Sequence, residues 1–357
     1  MSKRNTYEFK PDYAVIPGES LLEAIQYLGI TQKEFAQRID LTEQSLNRIL
    51  KGVQPITYET AIKLEQVTGT SCEFWTNLEV NYQKQLQIQK RMKQVNVSVE
   101  WLKQFPVKEL CKRGYIKMAD DPVKQKIEVL SFFQTNSIKS FNTYVISTKA
   151  AARGTAAFKT DPISAVTYIY MGLRNAQRIQ TEPYNEAKFK AVLQQARAMT
   201  QALTKDFDLE LQRLFASAGV ALVYVPPIKR VPLSGVCKWV SPDKAMIIMN
   251  IRGKSEDRFW FSLFHEAAHI LLHGKKDIFI SDSSPDNEEE LEADKYAADF
   301  LIPEKYNSKI KEASSDEELI EMANELGIAV GIVVGRYHHL TEQWYTFKHL
   351  IRKLNWK

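Results

Sequence analysis

The residues that most constrain this chain run from Asp257 to Gly274. There Phe259, Trp260, Phe261, Leu263, Phe264, Ile270, Leu271 and Leu272 make a helix apolar on most of its sides. Such a helix is buried. Yet it also carries His265, Glu266, His269 and His273. Imidazoles and a carboxylate drawn into an apolar interior need partners, so the fold must bring further polar groups to this helix. His265 and His269, four apart, stack on one face and can share a metal ion. Glu266 lies beside that position, where a carboxylate can take a proton from a water that zinc activates. Gly274 stops the helix in the usual way. His273 extends the ligand face by one turn, and its expected role is supporting or at the surface.

Zinc needs a third protein ligand and an open position. A Gly and a His at the metzincin spacing are absent after His269. An acidic helix follows instead at 287–301, with Leu291, Tyr296, Ala297, Phe300 and Leu301 on one apolar side. Its glutamates Glu288, Glu289, Glu290 and Glu292 all compete for the role of third ligand. The expectation is Glu290, one turn before Asp294, so that one carboxylate binds metal and the other steadies an imidazole. Glu292 is turned about 200° from Glu290 around the helix. Glu288 and Glu289 sit in the first turn, where the helix dipole suffices to explain them.

These residues resemble the ImmA/IrrE-type metallopeptidases, in which His-Glu-x-x-His precedes Glu-x-x-Ala-Asn/Asp-x-aromatic-Ala and a Leu-x-Pro close. The matching positions are Glu290, Ala293, Asp294, Tyr296, Ala297 and Leu301-Ile302-Pro303, within a likeness over about 210–345 that includes Ser234-Gly235-Val236 and Gly327 to Arg336. The resemblance implies a Zn2+ endopeptidase that cuts a repressor or similar regulator in response to a stress or mobile-element cue. Some relatives act mainly as regulators. Two further expectations come from the residues themselves. Tyr337 and His338 are candidates for contact with the scissile carbonyl and its oxyanion. The apolar run 245–249 reads as a strand whose unpaired edge would take an extended substrate.

A second pattern lies near the amino terminus. Phe35, Ala36 and Ile39 give one apolar helix face, Thr42 caps a second helix, and Leu46, Ile49 and Leu50 pack inward. That leaves Glu43, Gln44, Ser45 and Arg48, with Thr42, near the start of the outer face, where a recognition helix meets base edges. Val15 to Glu19 before it and Leu64 to Leu78 after it complete a pattern over about 11–83. That stretch resembles the Xre/HigA-type helix-turn-helix domain, with Asp40 where such domains usually carry Gly. The resemblance implies sequence-specific DNA binding, commonly as a homodimer and often as the antitoxin to a toxin partner.

Together these readings give an α+β, predominantly helical chain in three parts. They are a helix-turn-helix domain at 11–92, a helical middle segment of unassigned role at 107–210, and a zincin-like peptidase domain with a small sheet at 211–357. The loosened stretch 93–106, ending at Pro106, separates the first two. Net charge is uneven: +1 over 1–95, +6 over 96–210 and −2 over 211–357, so long-range attraction for nucleic acid would come largely from the middle. Cys72, Cys111 and Cys237 are scattered without zinc spacing, as expected of idle thiols in a reducing compartment. No apolar run is long enough to span a bilayer and no signal peptide is evident, so the expected location is the cytoplasm, with no membrane partner. The function expected is a DNA-tethered zinc endopeptidase acting on a regulatory protein. The rival is a transcriptional repressor or antitoxin whose metal site is sensory or structural. Glu266 separates the two, because a structural zinc site does not need a general base.

Overall fold

The structure is a computed structural model that describes residues 15–94, 99–145, 161–228, 235–250, 255–275, 278–281 and 288–354. Residues 95–98, Ser234 and Asn287, each part of an expectation above, lie outside these. The chain divides into two compact units, Met1–Val97 and Ser98–Lys357.

The first unit is helical: α1 (Pro17–Tyr27), α2 (Gln32–Arg38), α3 (Glu43–Leu50), α4 (Tyr58–Thr68) and α5 (Cys72–Gln94). Thr31, Thr42 and Thr57 each cap the following helix by accepting from the backbone N–H three residues on. Leu21, Phe35, Ala36, Leu46, Ile49 and Trp75 form its buried core. A Cβ at Gly18 would run into the Leu50 backbone, so α1 and the end of α3 meet at van der Waals distance. Asp40 holds φ 53 in the α2–α3 turn, the left-handed position that glycine usually fills and that Asp tolerates.

The second unit is built on a four-stranded sheet of β1 (Val220–Tyr224), β2 (Gly235–Ser241), β3 (Lys244–Met249) and β4 (Ile278–Ser281), in the order β1-β3-β2-β4. The β1–β3 pair is parallel and the other two pairs are antiparallel. Alternate residues feed two cores. Val220, Leu222, Ala245 and Ile247 join one, while Ala221, Val223, Met246 and Ile248 join the other. A sheet covered on both faces explains why these strands read as unbroken apolar runs. Because β3 lies between β1 and β2, the free edge expected of 245–249 does not exist. Both its sides are taken by backbone hydrogen bonds.

Four helices of this unit bear on the site: α6 (Pro162–Arg178), α7 (Glu256–Leu272), α8 (Glu288–Leu301) and α9 (Val330–Thr341). The first lies directly on the sheet, with Gly172 so close to Ile248 that a Cβ would overlap its side chain. The middle-segment aromatics Phe132, Phe133, Phe141 and Tyr168 are buried in this layer, whereas Tyr144 is 72% exposed. On the opposite face lies α7, its start pinned from the carboxyl-terminal end of the chain. The fully buried carboxylate of Glu256 accepts from the Arg352 backbone N–H at 3.0 Å and from its Nε at 2.7 Å. The end of α8 is fixed by Arg197, which donates to the carbonyls of Phe300 and Leu301 at 2.9 Å each, groups a helix end leaves unpaired. The protein is thus α+β and predominantly helical. Among the described residues no helix is long and apolar enough to cross a membrane.

Candidate metal centre

His265 and His269 project from consecutive turns of α7, and Glu290 reaches them from α8. The His265 and His269 Nε2 atoms are 3.0 Å apart. Glu290 Oε2 lies 3.2 Å from the first and Oε1 3.2 Å from the second. All three residues are sheltered, with His269 fully buried and the Glu290 side chain 14% exposed. Four ligands set tetrahedrally about 2.0–2.1 Å from a zinc ion are roughly 3.3 Å from one another. The two nitrogens and the carboxylate therefore stand close to the spacing of one face of such a tetrahedron, and this donor set suits zinc.

Burial and hydrogen bonding oppose one another within the cluster. Burial alone would pull the His265 imidazole below its usual range. Hydrogen bonds to Asp294 and Glu290 outweigh it and push the pKa up to about 10. Burial prevails at His269, whose pKa is lowered. Burial would raise Glu290, but its bonds to both histidines hold it down at about 2.

The outward nitrogens are also engaged. His265 Nδ1 lies 2.8 Å from Asp294 Oδ1, one turn along α8 from Glu290. His269 Nδ1 lies 2.9 Å from Nδ1 of His273, and His273 Nε2 lies 3.2 Å from Glu292 Oε2. Glu292 thus turns away from the three-donor group but reaches the last histidine of α7.

Glu266 is fully buried beside the cluster. Gly235, at the start of β2, lies flat against it, and a Cβ there would overlap the carboxylate. Only a glycine before an apolar strand marked this contact in the sequence. Tyr337 and His338 each bond to the turn after α9. The Tyr337 hydroxyl donates to Gln343 Oε1 at 3.1 Å, and His338 Nε2 lies 2.6 Å from the Thr346 carbonyl oxygen. Both side chains therefore brace the turn after α9, and neither belongs to the His265–His269–Glu290 group. A cavity of about 510 Å³ is lined in part by Asp294, with Phe261, Ala298, Ile332 and Trp344 and the charged Arg258 and Arg336 among its walls.

In the first unit, Thr42 and Ser45 spend their hydroxyls on the start of α3. Thr42 Oγ1 accepts the Ser45 N–H at 3.1 Å and donates to Ser45 Oγ at 2.9 Å. Glu43, Gln44 and Arg48 are exposed on α3, as is Asn47, which the sequence reading passed over. The Glu43 carboxylate sits 3.9 Å from Lys33 Nζ, an exposed pair worth little energy.

Comparison with known proteins finds likenesses for two parts of the chain. The IrrE N-terminal-like domain of a peptidase family matches residues 221–338, and the Helix-turn-helix family matches residues 22–75. The uncharacterized HTH-type transcriptional regulator YddM of Escherichia coli (strain K12) is 35% identical over 63 residues, or 18% of this chain and 67% of that protein. An addiction module antidote protein of a HigA family from Coxiella burnetii is 30% identical, over 24% of this chain and 96% of that one, with a TM-score of 0.22. The chain belongs to the helix-turn-helix regulators through its amino-terminal domain, and it carries an IrrE-like domain of a peptidase family at its carboxyl end.

Proposed function

We propose that the chain is a zinc-dependent endopeptidase joined to a DNA-binding head, and that it cleaves a regulatory protein such as a repressor. The observation that carries this reading is Glu266, a fully buried carboxylate held by Gly235 beside a three-donor cluster. A site that merely binds zinc for structure has no use for it. In this reading residues 211–357 form the peptidase domain, 107–210 are the helical segment that packs on both faces of its sheet, and 11–92 form the DNA-binding head, working in the cytosol as a homodimer.

His265, His269 and Glu290 would hold the zinc. When bound, it supplies Lewis acidity that polarises a scissile carbonyl and makes water a stronger acid. Glu266 takes the proton of the attacking water and returns it to the amide nitrogen as the bond breaks. Asp294 keeps the His265 proton on Nδ1, so that Nε2 presents its lone pair to the cluster. The cavity beside Asp294 would accommodate an apolar side chain of the substrate. Purified protein is expected to take up one zinc per chain and to lose cleavage on chelation, with recovery on zinc addition. Cleavage indifferent to chelator would refute the reading.

Zinc uptake should release protons. With its pKa at about 10, His265 is protonated at neutral pH and must lose a proton to bind metal. Affinity should therefore climb by roughly tenfold per pH unit below that value for a single displaced proton. The same raised pKa stabilises the metal-free fold below the unfolded value of about 6.5, a contribution lost as pH rises through the folded one. Calorimetry in buffers of different ionisation enthalpy should detect about one proton released. A buffer-independent heat would contradict the assignment.

The rival reading is a DNA-binding repressor or antitoxin, with or without a toxin partner, whose metal site is sensory. The likeness to a transcriptional regulator favours it. Both readings need the DNA-binding head. Arg48→Ala is expected to cost roughly 1–3 kcal/mol of operator affinity if its guanidinium reads a base. A salt series on a mapped operator measures this, and unchanged affinity removes Arg48 from the reading face. The two readings part at Glu266, since Glu266→Gln would leave pure repression untouched.

A further inference from the structure

We propose that His273 and Glu292 form a relay that fixes the tautomer of His269 and so readies its Nε2 for metal. The proposal rests on the zinc reading above. It assigns a positioning role to two residues outside the three-donor group.

With Nε2 given to a metal, the one proton of a neutral His269 has to sit on Nδ1. Glu292 Oε2 lies 3.2 Å from His273 Nε2, and a carboxylate only accepts, so the His273 proton sits on Nε2. A neutral imidazole then has a lone pair on Nδ1. That atom is 2.9 Å from His269 Nδ1 and is placed to accept its hydrogen. With its proton on Nδ1, His269 presents a lone pair at Nε2, the atom that faces His265 and Glu290. One carboxylate on α8 thus sets the direction of both hydrogen bonds.

His273 is well placed to act through His269 and poorly placed to bind metal itself. Its side chain is 5% exposed. It meets His269 on the ring nitrogen opposite the one that joins the three-donor group. The two imidazoles of α7 are then served in parallel, His265 by Asp294 directly and His269 by Glu292 through His273. Outer partners of this kind are typically worth 10–100-fold in metal affinity.

The test uses the full chain and zinc itself, with affinity read by competition against a chelator. Wild type should bind one equivalent and His269→Ala should lose it. His273→Leu fills similar space without an acceptor and should weaken zinc by roughly 10–100-fold. His273→Asn restores an acceptor oxygen near the Nδ1 position and should recover most of that loss, which a merely space-filling role would not produce. Glu292→Ala should show a smaller loss than His273→Leu. Histidine 15N shifts of the unmutated protein give an independent readout, with the His273 proton expected on Nε2. Wild-type affinity in His273→Leu, no recovery in His273→Asn, or a His273 proton on Nδ1 would each overturn the relay while leaving the zinc site standing. Failure of the wild-type chain to bind zinc at all would sink the underlying reading instead.

Discussion

Glu266→Gln is expected to keep its zinc and lose its cleavage. The substitution preserves shape, so the close approach of Gly235 to the side chain is undisturbed. In the proposed site no ligand is removed, because His265, His269 and Glu290 would supply the donor atoms. What disappears is the group that accepts a proton, and general-base catalysis contributes typically 10²–10⁴-fold. Zinc content by mass spectrometry and cleavage by gel, measured on one preparation, separate the two properties. A mutant that cuts at the wild-type rate would reject Glu266 as the base. One that loses zinc along with activity would place Glu266 among the groups that hold the metal.

Glu290→Ala should act on the metal instead. Its carboxylate spans both histidines at 3.2 Å and is held ionised, with a pKa of about 2, by its bonds to them. Alanine deletes one of three protein donors and the anion that offsets the charge of zinc. The fall in affinity should therefore exceed the roughly 10–100-fold attached to outer partners. Glu292→Ala is the comparison, with only the smaller loss of an outer partner expected, because Glu292 reaches His269 through His273. Chelator competition on the two variants gives the order directly. A larger loss from Glu292→Ala than from Glu290→Ala would mean that the wrong turn of α8 faces the metal.

The helical period carries much of the site in the sequence itself. A spacing of four puts His265 beside His269 and Glu290 beside Asp294, and the structure sets the other three within hydrogen-bonding distance of His265. What the period cannot convey is how α7 and α8 dock. The His273–Glu292 contact joins residues 19 apart on two helices, and nothing in either helix alone announces it. The bonds of Tyr337 and His338 to the turn at 343–346 are likewise invisible in the helical period.

The strands show the same division between local and distant causes. β1 and β3 are apolar runs and are legible as such. β2 carries Lys238 and Trp239, and β4 has only four residues, so neither stands out. That β3 is central follows from its partners rather than its own composition. The middle segment was opaque for a related reason. Its packing on the sheet depends on contacts such as Gly172 against Ile248, far apart in the chain.

The account is tested most directly by exposing the soluble proteome of the source cell to zinc-loaded protein, wild type and Glu266→Gln in parallel, and mapping newly created amino termini. Cleavage at a small set of sites in one or a few regulatory proteins, present with the wild type and absent with Glu266→Gln, is the predicted result. Identical termini in the two samples, with both proteins fully loaded with zinc, would contradict it.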